Sequence, residues 1–450
     1  MRLPPLWVGI LLAAGFNQAS AMSLSEAIQS TIDNHPEIHS ATNSRLTADE
    51  ELKIAKGGYL PTVDVLASYG REQTDSPSTR SIGDHNKETL NASTSELRLR
   101  QMVFDGFLTP NEVARSEAVV NSRAYRLLGA SESLALRTVE VYLDVLKRRE
   151  MVALAENNLQ AHRRIHDQIG LRTERGVGSA ADGNQSDARL ALAENNLYTE
   201  QVNLADAEAN FFSTVGRMPD QLETPASLRG QMPDSIATAR DTLMDNSPLL
   251  KSAQADVQAA EKQYEASKSR FYPRFDVELS TTADNDIEGD EGHHNTWYAG
   301  VLMNYNLFNG TRDKSLLQAN AHRINESMDI RNNALRILNE NLMLSWNAME
   351  NARLQTPRAR DYADYSSRVR GAYQEQFSLG QRTLLDLLDS ENELFTANRR
   401  YTEVRYTEEF SMYRVIATMG NLLRTHNIVA PSESVALTEV KSEARLPTMK

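Results

Sequence analysis

Tyr59-Leu60-Pro61-Thr62-Val63-Asp64-Val65 returns 212 positions later as Phe271-Tyr272-Pro273-Arg274-Phe275-Asp276-Val277, and the same displacement carries Asp33-Asn34-His35-Pro36 onto Asp245-Asn246-Ser247-Pro248. Further on the displacement is 204: Phe104-Asp105-Gly106 matches Phe308-Asn309-Gly310, Tyr142 matches Trp346, Gly176 matches Gly380, and Ser179 to Asp182 matches Thr383 to Asp386. The eight residues by which the copies differ fall in one loop. A displacement held constant from Phe104 to Asp182 means that neither copy has gained or lost a residue there, as happens when a long packed partner fixes element length. The chain is a duplication that builds rods.

Around the repeated block, four segments between Pro61 and Leu307 alternate with period two, the mark of a strand with two unlike faces. The first sets Val63, Val65, Ala67 and Tyr69 against Thr62, Asp64 and Ser68; the second sets Leu97, Leu99 and Val103 against Glu96, Arg98 and Arg100. The third sets Phe275, Val277 and Leu279 against Asp276, Glu278 and Ser280, and the fourth runs from Trp297 to Tyr305 in the same manner. Aromatic residues gather at segment ends (Tyr59, Tyr69, Phe104, Phe271, Trp297, Phe308), where a membrane barrel keeps its interfacial girdles. Two polar loops are expected, Arg71 to Thr94 and the acidic Ala283 to Asn295, whose His293 and His294 read as exposed loop residues before they read as metal ligands. Alternation alone also suits a soluble antiparallel sheet with one wet face. Two hairpins this far apart, each flanked by long helical segments, have no other sheet in the chain to cover their apolar sides, which points to lipid. Four strands cannot close a barrel, so strands must be pooled between chains. Two chains give about eight strands and a filled barrel, three give about twelve and an aqueous lumen lined by Asp64, Arg98, Arg100, Asp276 and Glu278; the trimer is the favoured expectation.

Everything after each hairpin reads as helix. Val113, Val120, Leu127, Leu134 and Val141 lie seven apart, as do Leu190, Leu197, Leu204 and Phe211, so the apolar stripe has coiled-coil period. From Asn111 to about Arg175 there is no proline, enough for a helix of about 100 Å at 1.5 Å per residue. In the second copy, about Thr311 to Phe377, Arg331 and Ser345 stand where Leu127 and Val141 stand in the first.

The bulk numbers agree with thin elements. Only 40% of the 450 residues are hydrophobic, low for several thick cores. Leu6 to Phe16 behind Arg2, then Ala19-Ser20-Ala21, reads as a signal peptide over residues 1–21, at about 11 apolar residues too short for a span of roughly 20. The absence of cysteine excludes disulfides, thiol chemistry and a lipidated anchor. A formal net charge of -13 argues against nucleic acid as a partner. No nucleophile motif, phosphate loop or metal-ligand cluster is found, so neither cofactor, metal nor enzyme activity is expected. The expected organisation is a first repeat over 22–217 with its hairpin at 61–104, an inter-repeat segment at 218–240, a second repeat over 241–424 with its hairpin at 273–307, and a tail at 425–450 that reads as disordered from Pro431.

The signal peptide, the duplicated helix, hairpin and helical hairpin, and the turn from Gly380-Gln381-Arg382-Thr383 to Ser390-Glu391 together resemble a TolC family outer membrane factor, over roughly Leu24 to Leu423. The resemblance implies a chain that is mainly α with a membrane β-barrel portion: a homotrimer sharing one 12-stranded barrel in outer membrane lipid, continued by a periplasmic α-helical tunnel. It implies as partners a periplasmic adaptor (membrane fusion protein) and an inner-membrane ABC or other transporter. It places the periplasmic aperture at Asp386 and Asp389, with Arg382 and Asp182 as gating links, and sets Phe377 where a tyrosine hydroxyl can serve as a link in the family. Ser179 with Asp182, and Thr383 with Asp386, also have the spacing of a helix capping box, which Asp389 does not share. In the first copy Gln185 and Gly178 stand opposite Asp389 and Arg382, so the charged set belongs to the second hairpin alone. The leading expectation is a passive exit duct for type I protein secretion of an adhesin or toxin. Multidrug or metal efflux through the same channel is the alternative, and a periplasmic coiled-coil adaptor or scaffold is the rival of another class.

Overall fold

A computed structural model describes residues 21–82, 87–175 and 179–445. The leader expected at 1–21, apart from Ala21, lies outside the described residues, as do Gly176 and Gly178. Ser23 accepts the Glu26 amide while Glu26 accepts the Ser23 amide, a reciprocal cap that starts α1 (Leu24–Asn34). His35 ends it, its ring nitrogen accepting the Glu37 amide, and Pro36 opens α2 (Pro36–Gly57), since proline has no amide to waste at a first helical position. There follow β1 (Thr62–Thr74), the short α3 (Thr79–Ile82), β2 (Glu88–Phe104), α4 (Leu108–Glu174) and α5 (Ala180–Val215). The second copy repeats the order with α6 (Ile236–Asn246), α7 (Pro248–Ser267), β3 (Arg274–Ile287), β4 (Asp290–Asn304), α8 (Arg312–Ser378) and α9 (Leu384–Thr418), then α10 (Leu422–Thr425). The helices α4 and α8 have 67 residues each, which is about 100 Å of rod.

Both strand-to-helix corners are made by two successive left-handed residues, Gly106 and Phe107 in one copy and Gly310 and Thr311 in the other. A β-carbon on Gly106 would meet the Ser269 carbonyl oxygen at 2.7 Å, so only glycine fits. Phe107 tolerates its own positive φ because its ring is held edge-on against Phe104 at 5.3 Å and Tyr272 at 6.2 Å.

The four strands form one antiparallel sheet in the order β1-β2-β3-β4. The hairpins expected as separate units are thus joined through β2 and β3, and β1 and β4 are left as open edges. The register runs Val63, Leu99, Leu279, Ala299 across one row and Val65, Leu97, Thr281, Trp297 across the next, so the apolar faces of all four strands coincide. That face is bare: Val65 is 76% exposed, Trp297 79% and Val301 66%. The ladder also corrects the expected loops. Pairing continues to Thr74 with Glu88 and to Ile287 with Asp290, well inside Arg71–Thr94 and Ala283–Asn295. Polar residues end the apolar alternation without ending the backbone hydrogen bonding, which is indifferent to side-chain polarity.

The main core gathers where α1, α6 and α10 pack around the middles of α4 and α8 and the C-terminal ends of α5 and α9. Val120, Leu127, Leu134 and Val141 are buried along α4, and Phe211 ends the half-buried α5 stripe. Arg331 and Ser345, which interrupt the stripe of α8, are buried as well: Arg331 Nη1 donates to Gln254 Oε1 at 2.7 Å, replacing apolar packing by a polar contact to α7. The tail expected as disordered from Pro431 is ordered up to Arg445, and 446–450 lie outside the described residues. Its backbone amides find acceptors on two helices: Leu437 and Thr438 donate to Asn121 Oδ1, Val440 to Tyr125 Oη, and Glu443 to Gln254 Oε1. Composition reports only that a segment lacks a core of its own, and this one borrows that of α4 and α7, burying Val440 and Ala444.

One buried acid makes stability depend on pH. The Glu132 carboxylate of α4 accepts the amides of Leu422 at 3.0 Å and Leu423 at 3.3 Å, capping α10. Burial pushes its carboxyl from 4.5 up to about 7, against the pull of those two amides. Between these values the folded chain holds a proton that the unfolded chain has released, so this contribution is complete below 4.5 and is lost as pH rises through 7. The loss is on the order of 3 kcal/mol at most. Glu132→Gln, which mimics the protonated side chain, is expected to flatten the slope of thermal unfolding midpoints between about pH 5 and about pH 8. A slope equal to that of the parent would refute the assignment.

Candidate functional site at the sheet face and the helical tips

Two regions carry the residues singled out by sequence. On the polar face of the sheet, Asp64, Arg98, Ser280 and Tyr298 form one row, and Thr62, Arg100, Glu278 and Gly300 the next. Arg100 Nη2 lies 2.7 Å from Glu278 Oε2, Arg98 Nη2 2.6 Å from Glu96 Oε1, and Arg274 Nε 2.9 Å from Asp276 Oδ2. Asp64, Arg98, Arg100, Asp276 and Glu278 therefore share one face, with Asp276 and Glu278 buried and Asp64 exposed and without an ion pair among the described residues. Most of the charge is paired, Arg100 with Glu278 across strands and Arg98 with Glu96 and Arg274 with Asp276 along a single strand, which leaves a face polar but close to locally neutral.

The second region is the pair of tips where α4 turns into α5 and α8 into α9. Thr383 Oγ1 accepts the Asp386 amide at 3.2 Å, and Asp386 Oδ2 accepts the Thr383 amide at 3.2 Å and its hydroxyl at 2.8 Å, a complete capping box. The Thr383 hydroxyl and amide, then Arg382, hold the Asp386 carboxyl below the usual aspartate value. In the first copy the box is half made: Ser179 accepts the Ala181 amide, and no hydrogen bond or ion pair of the Asp182 carboxylate occurs among the described residues. Arg382 folds back on its own tip. Its Nε donates to Gln376 Oε1 at 2.9 Å, its guanidinium lies 4.2 Å over the Tyr373 ring, and Nη1 is 3.9 Å from Asp386 Oδ2.

The link between the two tips that carries opposite charges is made elsewhere. Arg189 Nη2 of α5 lies 2.9 Å from Asp389 Oδ1 of α9. Phe377 is buried with Ile165, Ile169, Leu384, Leu387 and Leu388, an apolar seam between the hairpins, and the Arg172 guanidinium sits 4.7 Å over its ring. Sequence reading missed Arg189, Arg172 and the buried Glu391, whose Oε1 is 3.5 Å from Arg370 Nε. For Arg189 a signal existed: it follows Asp182 by seven residues, two helical turns, and so shares its face. Which acid it meets depends on how two hairpins 200 residues apart are staggered.

Residues 27–217 and 239–420 match the model of a family described as outer membrane efflux protein. The chain is similar to the outer membrane efflux protein BepC of Brucella suis biovar 1, 25% identical over 408 residues covering 90% of this chain and 86% of that protein. It is similar to the alkaline protease secretion protein AprF of Pseudomonas aeruginosa, 22% identical over 423 residues covering 90% and 86%. Among solved structures, the Campylobacter jejuni CmeC outer membrane channel superposes with a TM-score of 0.79 at 16% identity, covering 89% of this chain and 86% of that one.

Proposed function

The chain belongs to the outer membrane efflux protein family, and from that premise we propose that three copies close a single barrel of twelve strands and serve as the exit duct of type I protein secretion. The protein is an outer membrane channel whose helical part lies in the periplasm. The observation that carries the trimer is the sheet: its apolar face is bare and its two edges, β1 and β4, are unpaired. Hydrocarbon accepts such a face and forbids such edges, so neighbouring copies must pair edge to edge. A periplasmic scaffold has no use for either feature. The polar face then lines the lumen with Asp64, Arg98, Arg100, Asp276 and Glu278, and the helices carry the duct towards an adaptor and an inner-membrane transporter.

For the branch, the name of AprF associates that relative with protease secretion, while the name of BepC associates that one with efflux. The run from Gly380 to Leu394 and the absence of any cysteine favour secretion of a large adhesin or toxin. Deleting the gene is expected to remove one exported protein from the cell surface or medium and to leave sensitivity to small toxic compounds unchanged. Raised sensitivity with normal export would move the duct to drug or metal efflux.

At the tips, Asp386 and Asp389 form the aperture acids, six carboxylates about a three-fold axis that draw cations. The Arg189 to Asp389 pair restrains the closed arrangement, taking over in a chain that has Phe377 in place of a hydroxyl, while Arg382 steadies Asp386 and Asp182 is free to meet a neighbouring copy. Replacing Asp386 and Asp389 by alanine is expected to raise the concentration of multivalent cation needed to block bilayer conductance by about tenfold, the equivalent of about 1.4 kcal/mol. Arg189→Ala alone is expected to lengthen open events while leaving cation block in place. Wild-type block and selectivity in the double variant would remove these residues from the aperture.

A further inference from the structure

At the end of the sheet remote from the long helices the two hairpins part. β2 pairs with β3 only as far as Ser93 with Asn285, although β1 and β2 stay paired up to Thr74 with Glu88 and β3 and β4 up to Ile287 with Asp290. Beyond Asn285 the backbone bends sharply, with positive φ at Asp286, Glu288, Gly289 and Gly292. The Asp286 carboxylate fixes the bend by accepting the Gly292 amide and the Asn285 side-chain amide, each at 2.8 Å. The bend carries Gly289 onto the end of β1. A β-carbon at Gly289 would collide with the Thr79 methyl and lie 3.3 Å from Thr74 Cβ, so only glycine fits.

Strand parity tells which side the tip has crossed to. Thr74 is separated from Asp64 by an even number of residues, so its side chain shares the polar face of the sheet. Burial agrees: Glu72 and Thr74 are half-buried, whereas Asp64, Leu66 and Ser68, nearer the helices on that face, are exposed, as are Arg71 and Gln73 on the opposite face. Thr79, next to Arg80 in α3, is only 5% exposed. Its hydroxyl accepts the Ser76 amide at 2.9 Å and its amide donates to Ser76 Oγ at 3.3 Å, which holds its methyl towards the tip. Among the described residues no ion pair joins the tip to this loop, whose Arg80 is paired with Asp75. The seat is a methyl group against bare backbone.

Resting on the reading of the chain as a trimeric barrel whose polar face lines the lumen, we propose that residues 286–292 form a shutter at the cell-surface mouth. The tip stands over the lumenal side of β1 instead of prolonging the wall, so three tips narrow the exit to large solutes, a closure separate from the aperture at the helical tips. The shutter is lightly held. Each tip carries Asp286, Glu288, Asp290 and Glu291, and like charges from three copies about one axis repel one another, which opposes the packing on Thr74 and Thr79. A large substrate leaving the duct lifts such a tip, and small ions pass beside it.

The chain has no cysteine, so one introduced at Ser280, on the polar face beside Arg98 and Tyr298, reports access to the lumen from outside intact cells. Labelling is followed with a small maleimide and with a maleimide borne on a polyethylene glycol chain. With Ser280→Cys alone the small reagent is expected to react readily and the bulky one slowly. Adding Gly289→Val, which drives the tip off Thr79, is expected to raise the rate of the bulky reagent by about tenfold and to leave that of the small one unchanged. Thr79→Glu, which puts a charge beneath the tip, should do the same without touching the bend, and so serves where the Gly289 variant does not assemble. Bulky labelling no faster in the assembled variants than with Ser280→Cys alone overturns the proposal. Equal acceleration of both reagents also overturns it, by showing that the variants loosen the barrel as a whole. A Ser280→Cys trimer that the small reagent never reaches would instead refute the reading of the polar face as the lumen.

Discussion

Leu279→Arg is expected to abolish accumulation of the assembled protein in the outer membrane. Leu279 sits mid-strand in β3, opposite Leu99 on one side and Ala299 on the other, on the bare apolar face that the proposed barrel turns to lipid. An arginine at the bilayer midplane costs about 2–4 kcal/mol per site in a membrane barrel, and a trimer carries three of them, about 6–12 kcal/mol in all. That is comparable to the whole stability of an ordinary domain. The control lies one residue away. Ser280→Arg places the same side chain beside Arg98 and Tyr298 on the opposite face, because successive residues of a strand point to opposite sides. It is expected to assemble and to shift ion selectivity towards anions. Equal assembly of the two variants, read by membrane fractionation and by heat-modifiable migration, would mean that the bare face does not face lipid.

Tyr142→Ala is expected to cost about 3–5 kcal/mol, the largest effect of any single truncation in the helical part. Tyr142 is fully buried on α4, 6.3 Å from the Phe211 ring, and its hydroxyl lies 2.7 Å from the carbonyls of both Met22 and Glu223. It therefore fastens the start of the described chain and the inter-repeat segment to the rod at the point where Met22 bridges Leu222. Tyr142→Phe keeps the packing and removes one proton shared by two acceptors, at a cost of about 1–2 kcal/mol. Trp346, its partner by duplication, is only half-buried and makes no such tie among the described residues, so Trp346→Ala should cost less than Tyr142→Ala despite the larger ring. Thermal unfolding followed by far-ultraviolet circular dichroism ranks the three. A larger loss for Trp346 than for Tyr142 would place the main fastening in the other copy.

Much of the fold was legible because it rests on local periodicity. The two constant displacements, the seven-residue stripe from Val120 to Val141, the two-residue alternation around Leu99 and Leu279, and the capping box at Thr383 are each properties of a short stretch of chain, fixed by the geometry of helix and strand. They determined paired 67-residue helices and four amphipathic strands. The family, by contrast, was reached through resemblance, on the duplicated order of elements and the turn from Gly380 to Glu391, and the chain does belong to it.

What tertiary structure alone decided is every contact between distant parts. The joining of the two hairpins through β2 and β3, the docking of the last segment on Asn121, 317 residues before Thr438, the hold of Glu132 on α10, and the pairing of Arg189 with Asp389 depend on the stagger of long helices. A shift of one residue, about 1.5 Å, would give each of these groups a different partner without altering any pattern in the sequence. Periodicity says which face of a rod is wet; only the assembled rods say which side chains meet across it.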